Sequence, residues 1–416
     1  MAGWLFAAAV AIRLAALAIL GLAPETFEYE DQARSLLAGQ GYRRVYLGTP
    51  HLAQGPPLFG FLCAGLYWLF GDSPLSVILV QVAASSLIPV VIARLATEVG
   101  LGRELGLVAG VLAVVHPGLI IYAVRKLHPL SLDALFISLT VLMVMRLRAA
   151  SGPGPALRAG GVLGLAALSR PTVALFALPA AAWRLWVAPE RGRPRAAAGV
   201  ALFLAAAAAV VLPWTARNYL VFHRFVFITT DTAELFWRGS NPVATGSAFL
   251  PDGRWIVMGA PDAFQKAIRE RDELGRADLF RETARAFVRE HPTAFVRLVV
   301  RKWVSFWWFP ATAGMNYPAR WMVIYKTLYA VVLTVSVLGL IAAWILVDRH
   351  RRQGLLLVLA MLACVSVAQS LYYVDVRHRW GVEPLLGIFL AFAVGWWRQP
   401  PGERQGCALD GPAAAA

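Results

Sequence analysis

Residues 25–59 read ETFEYEDQARSLLAGQGYRRVYLGTPHLAQGPPLF and closely follow the first apolar run of the chain. Four carboxylates stand within the first seven of these residues, at Glu25, Glu28, Glu30 and Asp31. The pattern after them predicts a short amphipathic helix that ends at Gly39 and Gly41, followed by a polar loop and a Pro-Pro turn. Such a segment can hold a carboxylate just outside a bilayer, although the helix dipole alone also favours acids at a helix start. The rest of the chain has to distinguish these two roles.

The composition is that of a polytopic membrane protein. Of the 416 residues, 59% are hydrophobic and 15% are charged, and the mean hydropathy of +0.61 excludes an ordinary soluble globular chain. The formal net charge is +15, but the cations lie mainly between apolar runs, as orientation signals do, so nucleic-acid binding is not predicted. The three cysteines are scattered, and they suggest neither a disulfide framework nor a cysteine-rich metal site.

Ten apolar runs are predicted to span the membrane. They cover residues 4–22, 73–94, 104–122, 129–146, 157–169, 172–187, 196–213, 321–347, 354–372 and 382–397. Arginine clusters follow every second run, and the positive-inside rule places these clusters, and with them both termini, in the cytoplasm. Two further apolar segments do not fit this alternation. Segment 58–70 is too short, and 293–309 is predicted to lie in the interface, with Arg297, Arg301 and Lys302 on one helical side.

The order of the spans divides the chain into four parts. We predict an N-terminal transmembrane module at 1–213 with its catalytic first outward loop at 23–57, an outward cap with the interfacial helix at 214–320, a C-terminal transmembrane module at 321–398 and a disordered cytoplasmic tail at 399–416. Within the cap, the pattern predicts a strand-like start at 225–230 and one charged helix at roughly 263–290.

Several cations lie on short outward links, where Lys and Arg are usually avoided. They are Arg125, Lys126, Arg170, Arg217, Arg377 and Arg379. Arginine suits bidentate phosphate contacts, so these cations, beside outward carboxylates, would suit a phosphate-bearing substrate at the membrane surface. Snorkelling to lipid headgroups is the alternative. His128 and Asp133, at the start of the fourth span, are secondary candidates, because a carboxylate in a bilayer requires a partner or a shallow position.

Eight short motifs occur in order along most of the chain. They are EYEDQARSLLAGQGY (28–42), GPPLF (55–59), LFGDS (69–73), HPGLIIYAVRKLHPLSLDALF (116–136), GLAALSRPT (164–172), PWTARNYLVFHRFVFITTDTAELFWRGSNPVATG (213–246), EHPTAFVRLVVRKWVSFW (290–307) and RHRWGVEPLL (377–386). In this order and spacing the chain resembles bacterial GT-C glycosyltransferases, the family 39-like enzymes of the protein mannosyltransferase and aminoarabinose transferase type. The sequence contains no Walker loop, GxGxxG, HExxH or nucleophile elbow, so nucleotide chemistry is not supported.

The resemblance implies an all-α polytopic membrane protein with a GT-C-like fold, about ten transmembrane helices, outward interfacial helices and a small outward cap. It implies a polyprenyl-phosphate-sugar-dependent glycosyltransferase of the EC 2.4 class in the bacterial inner membrane. The active site would face the periplasm or exterior, and the acceptor would be a protein, a lipid or a polysaccharide. The proposed base of such enzymes is an acid in the first loop. By position this is Glu25, eight residues before Ala33, with Glu28 as the other candidate.

The lipid phosphate is then expected to contact cations near the outer face. The candidates are Arg125, Lys126, Arg170, Arg377 and Arg379, with Arg301 and Lys302 at the interface. Two acid positions of the family differ here: Thr26 replaces one, and His128 stands where many members have Glu. No metal ligand is predicted, and binding of a divalent cation, Mg²⁺ or Mn²⁺, is left open. The alternatives are a catalytically inactive GT-C-like assembly subunit and a flippase or transporter of lipid-linked sugars.

Overall fold

The computed structural model describes residues 2–149, 152–310, 312–313 and 318–398. Within them the chain is almost entirely helical. The first nine helices are α1 (Ala2–Leu20), α2 (Glu28–Leu37), α3 (Pro57–Phe70), α4 (Pro74–Val99), α5 (Gly102–Val114), α6 (Pro117–Val124), α7 (Leu130–Arg146), α8 (Gly154–Ser169) and α9 (Ala177–Val187). The next nine are α10 (Arg193–Phe222), α11 (Thr232–Arg238), α12 (Asp262–Glu270), α13 (Glu273–Glu290), α14 (Pro292–Trp307), α15 (Ala319–Leu346), α16 (Arg349–Leu371), α17 (Arg377–Trp380) and α18 (Leu386–Arg398).

Every predicted span falls on helical structure, although 104–122 is divided between α5 and α6, and the prediction of an all-α polytopic membrane protein is confirmed. Among the described residues, α1, α4, α10, α15 and α16 are long and apolar enough to cross a membrane, and α5 with α6 adds a sixth span if this pair, bent by 51°, counts as one. The remaining candidates α7, α8, α9 and α18 have 17, 16, 11 and 13 residues. The count of ten therefore stays a prediction for these shorter helices.

The bend between α5 and α6 has a local cause and a distant partner. Pro117 has no backbone N–H, so the carbonyl of Ala113 loses its helical donor. Arg13 of α1 is fully buried and supplies donors instead. Its Nη1 reaches Val114 O at 3.3 Å, Nη2 approaches Ala113 O at 3.5 Å, and Nε donates to Ser85 Oγ at 2.8 Å. In lipid an unpaired carbonyl is costly, so Arg13 stabilises the break.

Helices α8 and α10 pack closely through small residues. A Cβ placed on Gly164 would lie 2.6 Å from Val210 Cβ and 2.9 Å from the Ala207 carbonyl oxygen, whereas one on Gly161 would have no atom within 4 Å. Close approach through Gly and Ala is typical of helix pairs in membranes, where packing rather than hydrophobic burial drives association. This contact places the end of α8 against the cap.

The cap differs from its prediction in two places. Residues 225–230 do not form a strand. The carbonyls of 226–228 are bound by side chains at the end of α10 instead: Trp214 Nε1, Thr215 Oγ1 and Asn218 Nδ2 donate to them at 2.6–3.3 Å. Because these acceptors are already satisfied, no partner strand is required. The predicted charged helix is divided into α12 and α13 at Arg271 and Asp272, whose side chain caps α13.

Two short strands lie where the sequence indicated only a polar loop. Strands β1 (Arg44–Tyr46) and β2 (Thr49–His51) form an antiparallel hairpin in the first outward loop. The interfacial segment 293–309 is helical, as α14, and its place in a membrane stays a prediction. The division into four parts also stays a prediction, and the tail 399–416 lies outside the described residues.

Candidate active site

A cavity of about 720 Å³ lies between the first loop, the cap and the ends of several helices that are predicted to face outward. Four segments contribute its polar walls. They are Glu28, Tyr29 and Arg44 of the first loop; His128, Asp133, Ser169 and Arg170 around the starts and ends of α7 and α8; Asp231, Glu234 and Arg238 of the cap; and Gln369, Tyr373, Arg377 and His378 around α16 and α17. The cavity thus gathers acids and arginines that are distant in sequence.

Five of the sequence-predicted site residues line this cavity. They are Glu28, His128, Asp133, Arg170 and Arg377. One first-loop acid, two of the outward cations and both secondary candidates therefore share one space. Glu28 lines the cavity, which is the position expected of an acid that contacts a substrate, and its chemical role stays a prediction.

Glu25 lies outside the cavity wall. Its side chain is 58% exposed and forms an ion pair with Lys126. The two segments are also bridged through their backbones: Glu25 N–H donates to Arg125 O at 2.8 Å, and Leu127 N–H donates to Glu25 O at 3.0 Å. Arg125 itself donates to Leu20 O at 3.3 Å. This bridge attaches the start of the loop to the link between α6 and α7.

Three other predicted cations also lie away from the cavity. Arg379 is fully buried, where it pairs with Glu383 at 2.9 Å and donates to the carbonyls at the end of α14. The Lys302 ammonium donates to Gly239 O at 2.8 Å and approaches Leu371 O at 3.3 Å. Arg301 is exposed on α14. Because protein acceptors already engage Arg379 and Lys302, both hold elements together, and phosphate binding by all three stays a prediction.

The cationic side of the cavity is formed by Arg170 and Arg377. Arg170 ends α8 because Pro171 follows it and favours an extended backbone, here with φ −142° and ψ 97°. Its Nη2 donates to Gln369 Oε1 at 2.9 Å and His378 O at 3.3 Å. A guanidinium has five N–H donors, so Arg170 keeps donors for a ligand. Arg377 lies 3.8 Å from the Asp375 carboxylate.

Beside these arginines, Asp133 and His128 have structural contacts of their own. Asp133 accepts a hydrogen bond from Ser169 Oγ at 2.5 Å, which joins α7 to α8. His128 Nδ1 accepts from the backbone N–H of Leu130 at 3.2 Å, which caps α7. The His128 ring also packs edge-on against Phe27 at 5.4 Å. Both side chains therefore shape the cavity.

The acidic side combines Glu28 with two acids of the cap. Glu28 lies 3.6 Å from Arg44 of β1. Glu234 pairs with Arg238 at 2.5 Å. Asp231 accepts a hydrogen bond from a neighbouring threonine, and burial raises its carboxyl pKa to about 6. The motif that carries Asp231 and Glu234 was recognised in the sequence, but neither acid received a role.

Aromatic rings complete the acidic side. The Arg238 guanidinium lies over the ring of Trp255 at 4.5 Å and that of Tyr373 at 5.5 Å. Tyr46 Oη donates to Glu234 at 3.2 Å. These contacts join the first-loop hairpin, the cap and the link that follows α16. Among the described residues no group of three or more His, Cys, Asp or Glu side chains could hold a metal ion, and the open question of Mg²⁺ or Mn²⁺ stays a prediction.

The helical scaffold with a cavity beneath a small cap agrees with the predicted GT-C-like fold, and comparison with solved structures confirms that fold. Residues 54–216 match the family described as dolichyl-phosphate-mannose-protein mannosyltransferase, which is less than half of the chain. This segment includes His128, Asp133, Ser169 and Arg170 of the cavity. No curated protein sequence matches significantly.

Solved structures support the same fold. The Archaeoglobus fulgidus oligosaccharyltransferase in the apo form has a TM-score of 0.57 at 13% identity, over 94% of this chain and 50% of that one. The AglB oligosaccharyltransferase of that organism, in complex with an inhibitory peptide and a dolichol-phosphate, has 0.55 at 12% identity, over 94% and 50%. ArnT from Cupriavidus metallidurans bound to undecaprenyl phosphate scores 0.46 at 15% identity, over 96% and 81%, too low to support an argument. The chain thus spans about half the length of the oligosaccharyltransferases that it matches.

Proposed function

We propose that the protein is a membrane glycosyltransferase that moves a sugar from a polyprenyl-phosphate donor to an acceptor at the outward face of the membrane. The observation that carries the proposal is the meeting of Glu28 with Arg170 and Arg377 in one cavity of about 720 Å³. Such a space suits a substrate with a phosphate at one end and a reacting carbon at the other. The mannosyltransferase family match, which covers the part of the cavity wall that contains Arg170, supports the reaction class.

In this reaction an acceptor oxygen attacks the anomeric carbon of the donor sugar. The bond between that carbon and the phosphate oxygen breaks, and the polyprenyl phosphate leaves with the electron pair. Arg170 and Arg377 stabilise the negative charge on the leaving phosphate, as preorganised donors do at developing anions. The acceptor proton passes to a carboxylate in the cavity. Attack opposite the leaving group inverts the anomeric centre.

Of the two first-loop acids, Glu28 is the one that acts in this site, because it lines the cavity while Glu25 is paired with Lys126 outside it. This position also supports an enzyme over an inactive assembly subunit. The flippase alternative requires ionisable residues deep in the bilayer, and it is disfavoured because the cavity acids lie near the ends of helices that are predicted to face outward. The five arginine clusters between the spans support an outward cavity and cytoplasmic termini.

The test is sugar transfer by the purified full chain with membrane extract and a panel of radiolabelled polyprenyl-phosphate sugars. Glu28→Gln should reduce transfer strongly and Glu25→Gln should retain most of it, because only Glu28 lines the cavity. Arg170→Lys keeps the charge but loses the planar donor geometry, so it should raise the KM for the donor. The matched controls are Glu282→Gln and Arg285→Gln on exposed positions of α13. Loss of transfer in Glu25→Gln with full activity in Glu28→Gln would reverse the assignment of the acid.

A further inference from the structure

The cap supplies an acid that is linked to the first loop through a threonine of the cap. Asp231 immediately precedes α11 and lines the cavity. Thr229 Oγ1 donates to Asp231 Oδ1 at 2.6 Å and accepts from the backbone N–H of Gly55 at 3.0 Å. A Cβ on Gly55 would lie 3.9 Å from Glu28 Cγ, so these two hydrogen bonds lie directly beside Glu28. Together the two hydrogen bonds hold Asp231 in a fixed position relative to Glu28.

The acids of the cavity differ in their partners. The Glu28 carboxylate lies 3.6 Å from the Arg44 guanidinium, and the Glu234 carboxylate lies 2.5 Å from the Arg238 guanidinium. Asp133 accepts from a serine hydroxyl next to Arg170. Across the described part of the chain, neither Asp133 nor Asp231 has a Lys, Arg or His nitrogen within 4.0 Å, and a threonine hydroxyl is the donor to the Asp231 carboxylate. The two acids differ in their surroundings: Asp133 lies on the cationic side of the cavity beside Arg170, whereas Asp231 lies on the acidic side near Glu28 and Glu234. A carboxylate paired with an arginine holds its charge and is a weaker base, whereas a buried one without a cation accepts a proton more readily.

We propose that Asp231 is the carboxylate that takes the acceptor's proton, and that Glu28, held by Arg44, binds hydroxyl groups of the substrate. This inference rests on the proposed function and divides the chemistry of that site. The acceptor O–H bond breaks with its proton going to Asp231, and the acceptor oxygen forms the new bond to the anomeric carbon. The phosphate oxygen leaves with the electron pair of the broken bond, and Asp231 returns its proton to water before the next cycle.

The charges around Asp231 set the pH at which it can act. Burial raises its pKa to about 6, the Thr229 hydrogen bond lowers the pKa, Glu234 and Glu28 raise it, and Arg238 lowers it. Tyr29, Tyr42 and Tyr372 also interact with Asp231, and burial keeps their phenols protonated because it raises their pKa values. Asp231 is therefore ionised at neutral pH and becomes protonated as the pH falls through about 6.

The test is the pH dependence of kcat/KM for transfer between pH 5 and about 9. In the wild type, kcat/KM should fall at acidic pH, with an apparent pKa near 6. Asp231→Asn keeps the acceptor for Thr229 but cannot take a proton. It should lose about 10²–10⁴-fold in kcat and should no longer show the acidic fall, while the KM for the donor changes little. Asp262→Asn, an exposed acid at the start of α12, is the matched control.

The pH profile of kcat/KM for Thr229→Val provides a second and independent test. Loss of its hydroxyl removes a hydrogen bond that stabilises the carboxylate, so the acidic fall should move to higher pH. Thr229→Ser keeps the hydroxyl and should restore the wild-type profile. A merely structural role for Thr229 would reduce activity at every pH without moving the profile.

Two results would overturn this inference while leaving the proposed function intact. One is an acidic fall that persists unchanged in Asp231→Asn. The other is an acidic fall that disappears in Glu28→Gln and remains in Asp231→Asn, which would make Glu28 the base. A wild type that transfers sugar from none of the donors would instead refute the proposed function, and this inference with it.

Discussion

The packing of α8 against α10 predicts opposite effects for two glycines three residues apart. Gly164 faces α10 and Gly161 does not, so replacing each with alanine adds the same methyl group to the same helix. At Gly164 the new Cβ would lie 2.6 Å from Val210 Cβ. The helices must therefore separate by about 0.8 Å to reach an ordinary van der Waals distance. At Gly161 no atom lies within 4 Å, and nothing has to move.

The expected difference in stability between the two variants follows from two opposing effects. Alanine stabilises a helix over glycine by about 1 kcal/mol, and both variants gain this. Overpacking a close contact costs about 1–3 kcal/mol, and only Gly164→Ala has this cost. The difference in the free energy of unfolding between the two variants is therefore about 1–3 kcal/mol, with Gly161→Ala the more stable. Because α8 ends at Ser169, beside Arg170, separation from α10 should also raise the KM for the donor in Gly164→Ala.

The assay is reversible unfolding of both variants in mixed detergent micelles, followed by circular dichroism. Each variant is compared with wild type under identical micelle composition, so the shared gain in helix propensity cancels between them. A Gly164→Ala protein as stable as Gly161→Ala would refute the reasoning, since it would mean that α8 and α10 do not approach as closely as described.

Two further predictions concern the join between the first loop and the cap. The Glu273 carboxylate accepts from the Ala53 N–H at 3.0 Å and from Thr230 Oγ1 at 2.5 Å. The other oxygen of this carboxylate, Oε2, accepts from the Leu52 N–H at 2.5 Å. Glu273→Gln can keep its amide oxygen toward Ala53 and Thr230 but then puts its amide nitrogen, a donor, against the Leu52 N–H, so it should cost about 1–3 kcal/mol and speed hydrogen exchange of the Leu52 amide. Burial and the nearby Arg276 lower the pKa of His51 to about 4. Between pH 6.5 and 4 this histidine is protonated in the unfolded chain but neutral in the folded protein. The free energy of unfolding should therefore fall by about 2 kcal/mol as the pH is lowered from 7.5 to 5, and His51→Gln should remove that fall.

Exposed residues of the same cap serve as controls for both. Glu282→Gln should leave the exchange of the first-loop amides unchanged, and His291→Gln should leave the pH dependence of unfolding as in wild type. Slow exchange in Glu273→Gln would mean that the loop is held by other contacts. A pH dependence that survives in His51→Gln would assign the effect to another group.

Hydropathy predicted the helices correctly because their stability is local. In a membrane each backbone group must be satisfied within its own segment, so an apolar run of sufficient length becomes a helix whatever its neighbours are. The same reasoning was wrong for residues 225–230. Their extended pattern resembles a strand, but their acceptors are bound by Trp214, Thr215 and Asn218, which no pattern within 225–230 reveals.

By itself the sequence determined the class of fold and the motifs that contribute Glu28 and Arg170, and it predicts that the acidic loop lies on the outward side. It could not decide between Glu25 and Glu28, because the choice depends on a distant lysine, Lys126, that pairs with one of them. It also assigned no role to Asp231, which lies on the acidic side of the cavity and is linked to the first loop through Thr229. The partners of each acidic side chain come from segments far apart in the chain. Only the tertiary structure therefore decided which acids share the cavity.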